Sequence, residues 1–475
     1  MPSPPTNPSG SPASGSGSMA GSASVSGAAR AAAGAAHRAA ALARAQALFQ
    51  ASAAANGAGS SASILNTIAP GDTPPAGQSS LIVVDLPQQA SIGLSIAAQA
   101  LANASGSPVT VMGNGIANQI VVAPDGGLTY NTGGGSGSVV TGDQDSVAGG
   151  SAITIPTIGG GHFSIVLGAS NDTVVAGSGD NMISAGQGHA GITLGSGSNQ
   201  VTSTGQDTVL GGAGDATVNA ASGNALAYGG SGHLTFVSGG GQHTIVGGDG
   251  AQTLYAGQAG SSMAAFGGKG AMTFVGGAGA DSVIGGAGAT TIYGGSDGGV
   301  FYAGHGGGSV LMAASANTLL VGANSGDQLF AAPAGGDILV AGAGNETLTG
   351  SSSAAGNLFF GGDGRDVIVA GQGLDTIVCG NASDTVLAGT GSADVTLGRG
   401  PDVVSLTSGQ AGGSLTLHGF QAGTDLISLS GYGANEAKTA AASATVTGGS
   451  TLMHLSDGTN ITLVGVTSLT APPFA

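Results

Sequence analysis

Residues 361–369 read Gly361-Gly362-Asp363-Gly364-Arg365-Asp366-Val367-Ile368-Val369, and residues 370–378 follow as Ala370-Gly371-Gln372-Gly373-Leu374-Asp375-Thr376-Ile377-Val378. Each unit is nine residues long: a Gly-rich loop, an acid in the sixth place, and a short β-type run with its apolar residue in the eighth. One apolar side chain per nine residues buries no core alone. Units of this kind are stable only when stacked, so the fold class is all-β, a parallel β-roll or β-helix solenoid of nonapeptide repeats.

Working outward, the beat continues downstream at Val386, Val395 and Val404 and lies upstream at Phe359. Before an eleven-residue step it runs through Phe274, Val283, Ile292, Phe301, Val310 and Leu319, then, after two one-residue insertions, Leu329, Leu339 and Leu348. Val174, Ile183, Ile192 and Val201 carry it earlier. Four zones follow. Residues 1–80 form a flexible, Ala-rich arm, helical in part on propensity. Residues 81–130 supply a β-rich N-terminal cap, with runs at Leu81–Leu86, Val109–Met112 and Gln119–Ala123 and a helical piece between Ser91 and Ala102. Residues 131–415 are the repeat array, poor in sixth-place acids in the middle and rich in them over 320–405. Residues 416–475 close it with β structure.

Composition excludes several functions. Glycine occupies 96 of 475 positions and tryptophan none, so an aromatic-rich globular core is not available. No apolar run approaches the roughly 20 residues of a spanning helix. A net charge of −17 with seven Lys and Arg residues makes nucleic acid a poor partner and cations a good one. The single cysteine, Cys379, permits no internal disulfide and reads as a small buried residue. No His-Glu-x-x-His is present. Gly294-Gly295-Ser296-Asp297-Gly298 matches a nucleophile-elbow pattern but lacks the strand-then-helix context that gives it meaning. His162, His189, His233, His243 and His305 are irregularly spaced, which reads as solvated loop histidines rather than a transition-metal site.

The unit at 361–369 fits G-G-x-G-x-D-x-U-x at every fixed place and resembles the calcium-binding nonapeptide of the RTX (repeats-in-toxin) family. The resemblance implies two nonapeptides per turn, so loops of one edge recur about every eighteen residues. Calcium takes six to eight oxygens, which carbonyls and carboxylates of stacked loops can supply. Alternate sixth places then give Asp327, Glu346, Asp366, Asp384 and Asp402 on one edge, with Gly362, Gly364, Gly380, Gly398 and Gly400 in the same loops. The other edge reads Asp337, Asn357, Asp375 and Ala393. Without a cation the stacked carboxylates should repel. In the middle, sixth places hold Ala216, Ala225, Leu234, His243, Gln252, Met272, Asp281, Thr290, Gly299 and Gly308, so only Asp281 is acidic there. Asn181 and Asn199 lie eighteen apart, as an amide ladder requires.

Leu417 to Ile427 is similar to the segment that follows the roll in type I secreted proteins, and a hairpin with an Asp457-Gly458 turn comes after it. This implies a C-terminal export signal read by an ABC-type secretion machine, consistent with the lack of an N-terminal secretory signal. The expectation is a non-enzymatic, secreted or cell-surface calcium-binding protein whose folding is triggered by calcium after export, acting as structural or adhesive material toward cell-surface or matrix components. The alternative is a type I secreted toxin or enzyme in which the roll is only an export and folding module.

Overall fold

The computed structural model describes residues 173–410, 413–469 and 472–474, together with Leu167 and short strands between Leu81 and Val166. Strands of three to five residues alternate between two parallel sheets, each strand pairing with the one two units away. Ile192 thus lies beside Val209, Ala227, Ile245 and Ala265 in succession. On the other sheet Val201 lies beside Val218, Phe236, Leu254 and Phe274. Two units therefore make one turn, and the described solenoid has about 14 turns.

The core follows from the twofold period of a strand. Sixth- and eighth-place side chains point inward, and seventh- and ninth-place side chains point out. Phe236, Phe274, Phe301, Phe359, Ile368 and Val404 are fully buried at the eighth place. The apolar file runs unbroken along the axis between the sheets.

At two positions the inward residue is not the one the nine-residue count picks. Leu311 and Leu320 are fully buried, whereas Val310 and Leu319 face outward. Ile292 pairs with Leu311, and Phe301 with Leu320. The first insertion therefore falls in the Gly-rich loop after Phe301, earlier than the count placed it, and Ser309 rather than Gly308 occupies the sixth place there.

Upstream, Leu81–Val83, Val109–Met112 and Leu128–Asn131 pair parallel in one ladder. In the other, Ser95–Ala97 pairs with Gln119–Ala123 and that strand with Gly137–Thr141. The helical piece expected between Ser91 and Ala102 is therefore corrected: its centre is a strand, because a partner ladder outweighs the Ala-rich local propensity. The arm at 1–80 lies outside the described residues.

At the other end, Ser414–His418 takes Asn460–Leu463 as its next parallel neighbour. That strand is also the last of an antiparallel meander with Thr445–Thr447 and Ser450–His454. The expected turn at Asp457-Gly458 is present, with Gly458 at φ 92°. A seven-residue helix, Glu436–Ala442, packs beside the meander. Leu417, Phe420 and Ile427 are buried, so the segment after the repeats forms the final coil. The Ile427 amide donates to the Pro473 carbonyl at 2.8 Å, which occupies part of the last strand's open edge. Among the described residues no helix is long and apolar enough to cross a membrane.

Candidate metal centre along one edge of the solenoid

A sixth-place side chain starts its strand and points into the corner where the loop meets the sheets. Asp327, Asp337, Glu346, Asp366, Asp375, Asp384 and Asp402 are each 0–2% exposed. Such carboxylates need partners, and the loops provide them. In all but Glu346 and Asp366 one oxygen accepts from an amide of the residue's own loop: Gly380 N to Asp384 Oδ2 at 2.9 Å, Gly398 N to Asp402 Oδ2 at 3.0 Å. In all but Glu346 the other accepts from the sixth-place amide of the preceding coil.

That second set of bonds forms a continuous file. Glu346 N donates to Asp366 Oδ1 at 2.7 Å, Asp366 N to Asp384 Oδ1 at 2.9 Å, and Asp384 N to Asp402 Oδ1 at 2.9 Å. Asp402 N donates in turn to Asp425 Oδ1 at 3.1 Å. Asp327, one coil earlier, accepts from Ser309 N at 2.7 Å, but its own amide donates to the Asn324 carbonyl at 3.3 Å, so the file begins at Glu346. The opposite edge repeats the device with Thr318 N to Asp337, Asp337 N to Asn357 and Asn357 N to Asp375 at 2.8, 3.1 and 2.7 Å. It ends at the buried Ala393, which has nothing to accept with. Each edge thus stacks sixth-place amides against the side-chain oxygen of the next coil, with one break on the first edge, at Glu346. The amides temper the repulsion expected of the stacked acids.

They do not remove it. Burial is the main reason that Asp366 is pushed up to about 7 and Asp402 to about 6. For Asp402 the neighbouring Asp384 and Asp425 add to the rise; for Asp366 the adjacent Glu346 does. Asp384, Glu346 and Asp337 are raised as well, again chiefly by burial. Both Glu346 oxygens, and Oδ2 of Asp366, are buried without a hydrogen bond of normal geometry. The extra methylene of glutamate carries its carboxylate out of the register its aspartate neighbours hold.

These orphaned oxygens fit a hard divalent cation. The donor set is all oxygen, it is buried, and it carries net negative charge. Among the described residues no three His, Cys, Asp or Glu side chains converge as a metal cluster, so an ion here would also take loop carbonyls. Glu346 and Asp366, with Asp384 and Asp402 on the following coils and the backbone around Gly362, Gly364, Gly380, Gly398 and Gly400, are the residues that would hold it.

Those glycines serve close approach more than unusual φ. Only Gly362 among them has a positive φ, 74°. A Cβ on Gly380 would collide with the carbonyl oxygen of Gly362, and one on Gly398 with that of Gly380. Coils one strand spacing apart leave no room for a side chain at these places.

Asp425 escaped the nonapeptide count because the step from Val404 to Ile427 is long. Its signal was nonetheless present: an acid two residues before a buried apolar residue, as in Asp402 and Val404. His243 is also corrected. It is 2% exposed at a sixth place, where its Nδ1 accepts from Ala225 N at 3.1 Å and its ring meets Phe236 edge-on. His189 and His305 are exposed, His233 is half-buried, and His162 lies outside the described residues. The amide ladder is formed, Asn181 Nδ2 donating to Asn199 Oδ1 at 2.9 Å. Cys379 is buried, and burial raises its thiol pKa.

The fold and the site define a class: a parallel β-roll whose corner columns carry acids. Four segments of this chain, residues 164–192, 266–300, 323–354 and 356–394, match the RTX calcium-binding nonapeptide repeat. The chain therefore carries four RTX calcium-binding repeats folded as a β-solenoid. No curated protein matches the chain.

Proposed function

We propose that this is a non-enzymatic calcium-binding β-roll protein, exported to the cell surface or medium, whose acidic end folds when it meets calcium. The observation that carries the reading is the column from Glu346 to Asp425, a run of buried acids with oxygens that no protein group satisfies. Weak sites suit a compartment with millimolar calcium, and binding to the folded state alone couples the ion to folding. Inside a low-calcium compartment the end remains extended, which suits passage through an ABC-type exporter. Residues 416–475 supply the export signal, and the rest serves as structural or adhesive material.

Circular dichroism of residues 320–475, titrated with calcium after chelation, tests the folding step: β-type signal should rise with the ion. Identical spectra with and without calcium contradict it. Export is tested separately, by comparing medium fractions of a host with a type I exporter for the intact chain and for a version ending at residue 415. Equal appearance of both in the medium rules out the assigned signal.

A further inference from the structure

Of the histidines among the described residues, one is buried. His189, His305 and His454 are exposed, His233 and His418 are half-buried, and His243 is 2% exposed. It stands in a corner file that reads Asp207, Ala225, His243, Met263 and Asp281 on successive coils. Side chains of this file accept from the sixth-place amide of the coil before. Asp207 Oδ1 does so from Ala190 N at 2.8 Å, Asp281 Oδ1 from Met263 N at 2.9 Å, and His243 Nδ1 from Ala225 N at 3.1 Å. An imidazole accepts only through a nitrogen without a proton, so Nδ1 is bare and Nε2 carries the hydrogen. That Nε2 is buried with no hydrogen-bond partner, and Phe236 lies edge-on to the ring with centroids 5.3 Å apart. On the strands packed about it, Leu226–Tyr228, Leu234–Ser238, Gln252–Tyr255 and Ser262–Phe266, the titratable groups are Tyr228 and Tyr255, both in outward ninth places. In the adjoining loops Asp249 pairs with Lys269 in solvent at 3.0 Å, and His233 Nε2 lies 3.3 Å from Thr253 Oγ1. The acids of its own file, Asp207 and Asp281, are each two coils away, ~9.6 Å at one strand spacing per coil.

We propose that His243 is an acid-triggered release point: a proton on Nδ1 turns the acceptor of the Ala225 amide into a donor, unlinks the two coils at this corner and opens the solenoid there. The proton sets N–H against N–H on one side of the ring and leaves a cation in an apolar corner beside Phe236 on the other. No carboxylate is near enough to compensate. Burial holds the imidazole pKa below its ordinary 6.5, against a smaller opposing pull from the Gly240 backbone. The folded form is therefore the neutral one: its contribution to stability is whole above 6.5 and is lost as pH falls below that toward the folded value. The acids move the other way, since burial raises Asp281, so falling pH loosens the His243 corner while it relieves theirs. Coils of a solenoid touch only their neighbours, which keeps the opening local.

Hydrogen exchange on the intact chain in calcium, with protection corrected for the intrinsic rate at each pH, tests the inference. From about pH 7.5 to about pH 5 the amides of Ala225, Leu226–Tyr228 and Thr244–Val246 should lose about tenfold or more of their protection, as a buried donor set against a donor implies, while Met272–Val275 keep theirs. His243→Asn should abolish that loss. Its amide oxygen can accept from Ala225 N, as Asn199 Oδ1 does from Asn181 N at 3.2 Å, and it does not titrate. Should asparagine fail to fold, His243→Met takes its place, since Met263 and Met272 already fill sixth places at 2% exposure. Every other histidine is retained in both variants. Constant protection in the unaltered chain, the same loss in the variant, or a loss shared by Met272–Val275 overturns the proposal.

Discussion

Residues 211–300 and residues 323–405 share one coil, one apolar file and one glycine spacing, yet their loops are held together differently. In the middle, loop stacks on loop through backbone bonds: Ser231 N to Gly212 O at 3.0 Å, Lys269 N to Gly248 O at 2.9 Å, Ala287 N to Gly268 O at 2.8 Å. Their corners are filled by Ala216, Leu234 and Met272, which need no partner. Toward the end, Asp363 N to Gly342 O at 3.3 Å and Gln372 N to Ser351 O at 3.0 Å repeat that bond, but among the described residues the amides of Asn381 and Arg399 hold the corresponding places and make no such bond to the carbonyls of Gly362 and Gly380. Those carbonyls point at the glycine of the next coil, and the corners behind them hold acids. The middle leaves scattered atoms over, one each on His243, Gln252 and Asp281; the end leaves three oxygens on two successive coils, at Glu346 and Asp366. If the proposed calcium dependence holds, one repeat yields a scaffold that stands alone or one that needs an ion according chiefly to a single place in nine.

Calcium removal should separate the regions most. Under chelation, amides of Val367–Val369, Thr385–Leu387 and Val403–Thr407 should lose ~100-fold or more of their hydrogen-exchange protection, since an ion bound only to the folded form stabilises it by mass action. Those of Leu234–Ser238 and Met272–Val275 should change little. Equal loss in both regions breaks the comparison.

Core truncation comes next. Phe274→Ala should cost about 3–5 kcal/mol by thermal or denaturant unfolding with or without calcium, and Ile368→Ala about 2–5 kcal/mol in calcium only. Gly380→Ala, which forces a Cβ against the Gly362 carbonyl, should cost about 1–3 kcal/mol and weaken calcium binding. Gly240→Ala, where a Cβ meets nothing within 4 Å, should lie within about 0.5 kcal/mol of neutral.

The smallest effect sharpens the contrast by pH. Asp281, the acid of the middle, is pushed up to about 6, mainly by burial. Its folded form prefers the proton, so its cost is absent below the ordinary carboxyl pKa of 3.8, grows as pH rises through about 6, and is complete above it. Asp281→Asn should therefore stabilise the chain by about 1 kcal/mol at pH 8 and by nothing near pH 3, read from melting curves. The amide can still accept from Met263 N, as Asn357 does from Asp337 N at 3.1 Å. Asp366, pushed up to about 7, gives the same sign without calcium: the chelated end should gain stability as pH falls from 8 toward 5. Calcium binding, which needs the carboxylate, should strengthen over the same range as pH rises.

The solenoid and its acidic column were legible because both rest on spacing, and spacing survives translation into structure whenever a strand alternates. Where two apolar residues stand together, as in Val310-Leu311 and Leu319-Leu320, the count alone does not say which enters the core; the register of neighbouring strands decides. His243 was misread because its loop-like surroundings conceal that the sixth place always faces inward. The division of labour within Asp327, Asp337, Asp375, Asp384 and Asp402, one oxygen for its own loop and one for the preceding coil, has no sequence signature, since its donors are backbone amides. Only the stacked geometry displays it.

Calorimetric titration of calcium into the intact chain, beside a variant with Asp366, Asp384 and Asp402 all changed to asparagine, tests the account most directly. A saturable heat with a few ions per chain, largely abolished in the variant, is expected. No heat from the unaltered chain, or the same heat from both, would contradict it.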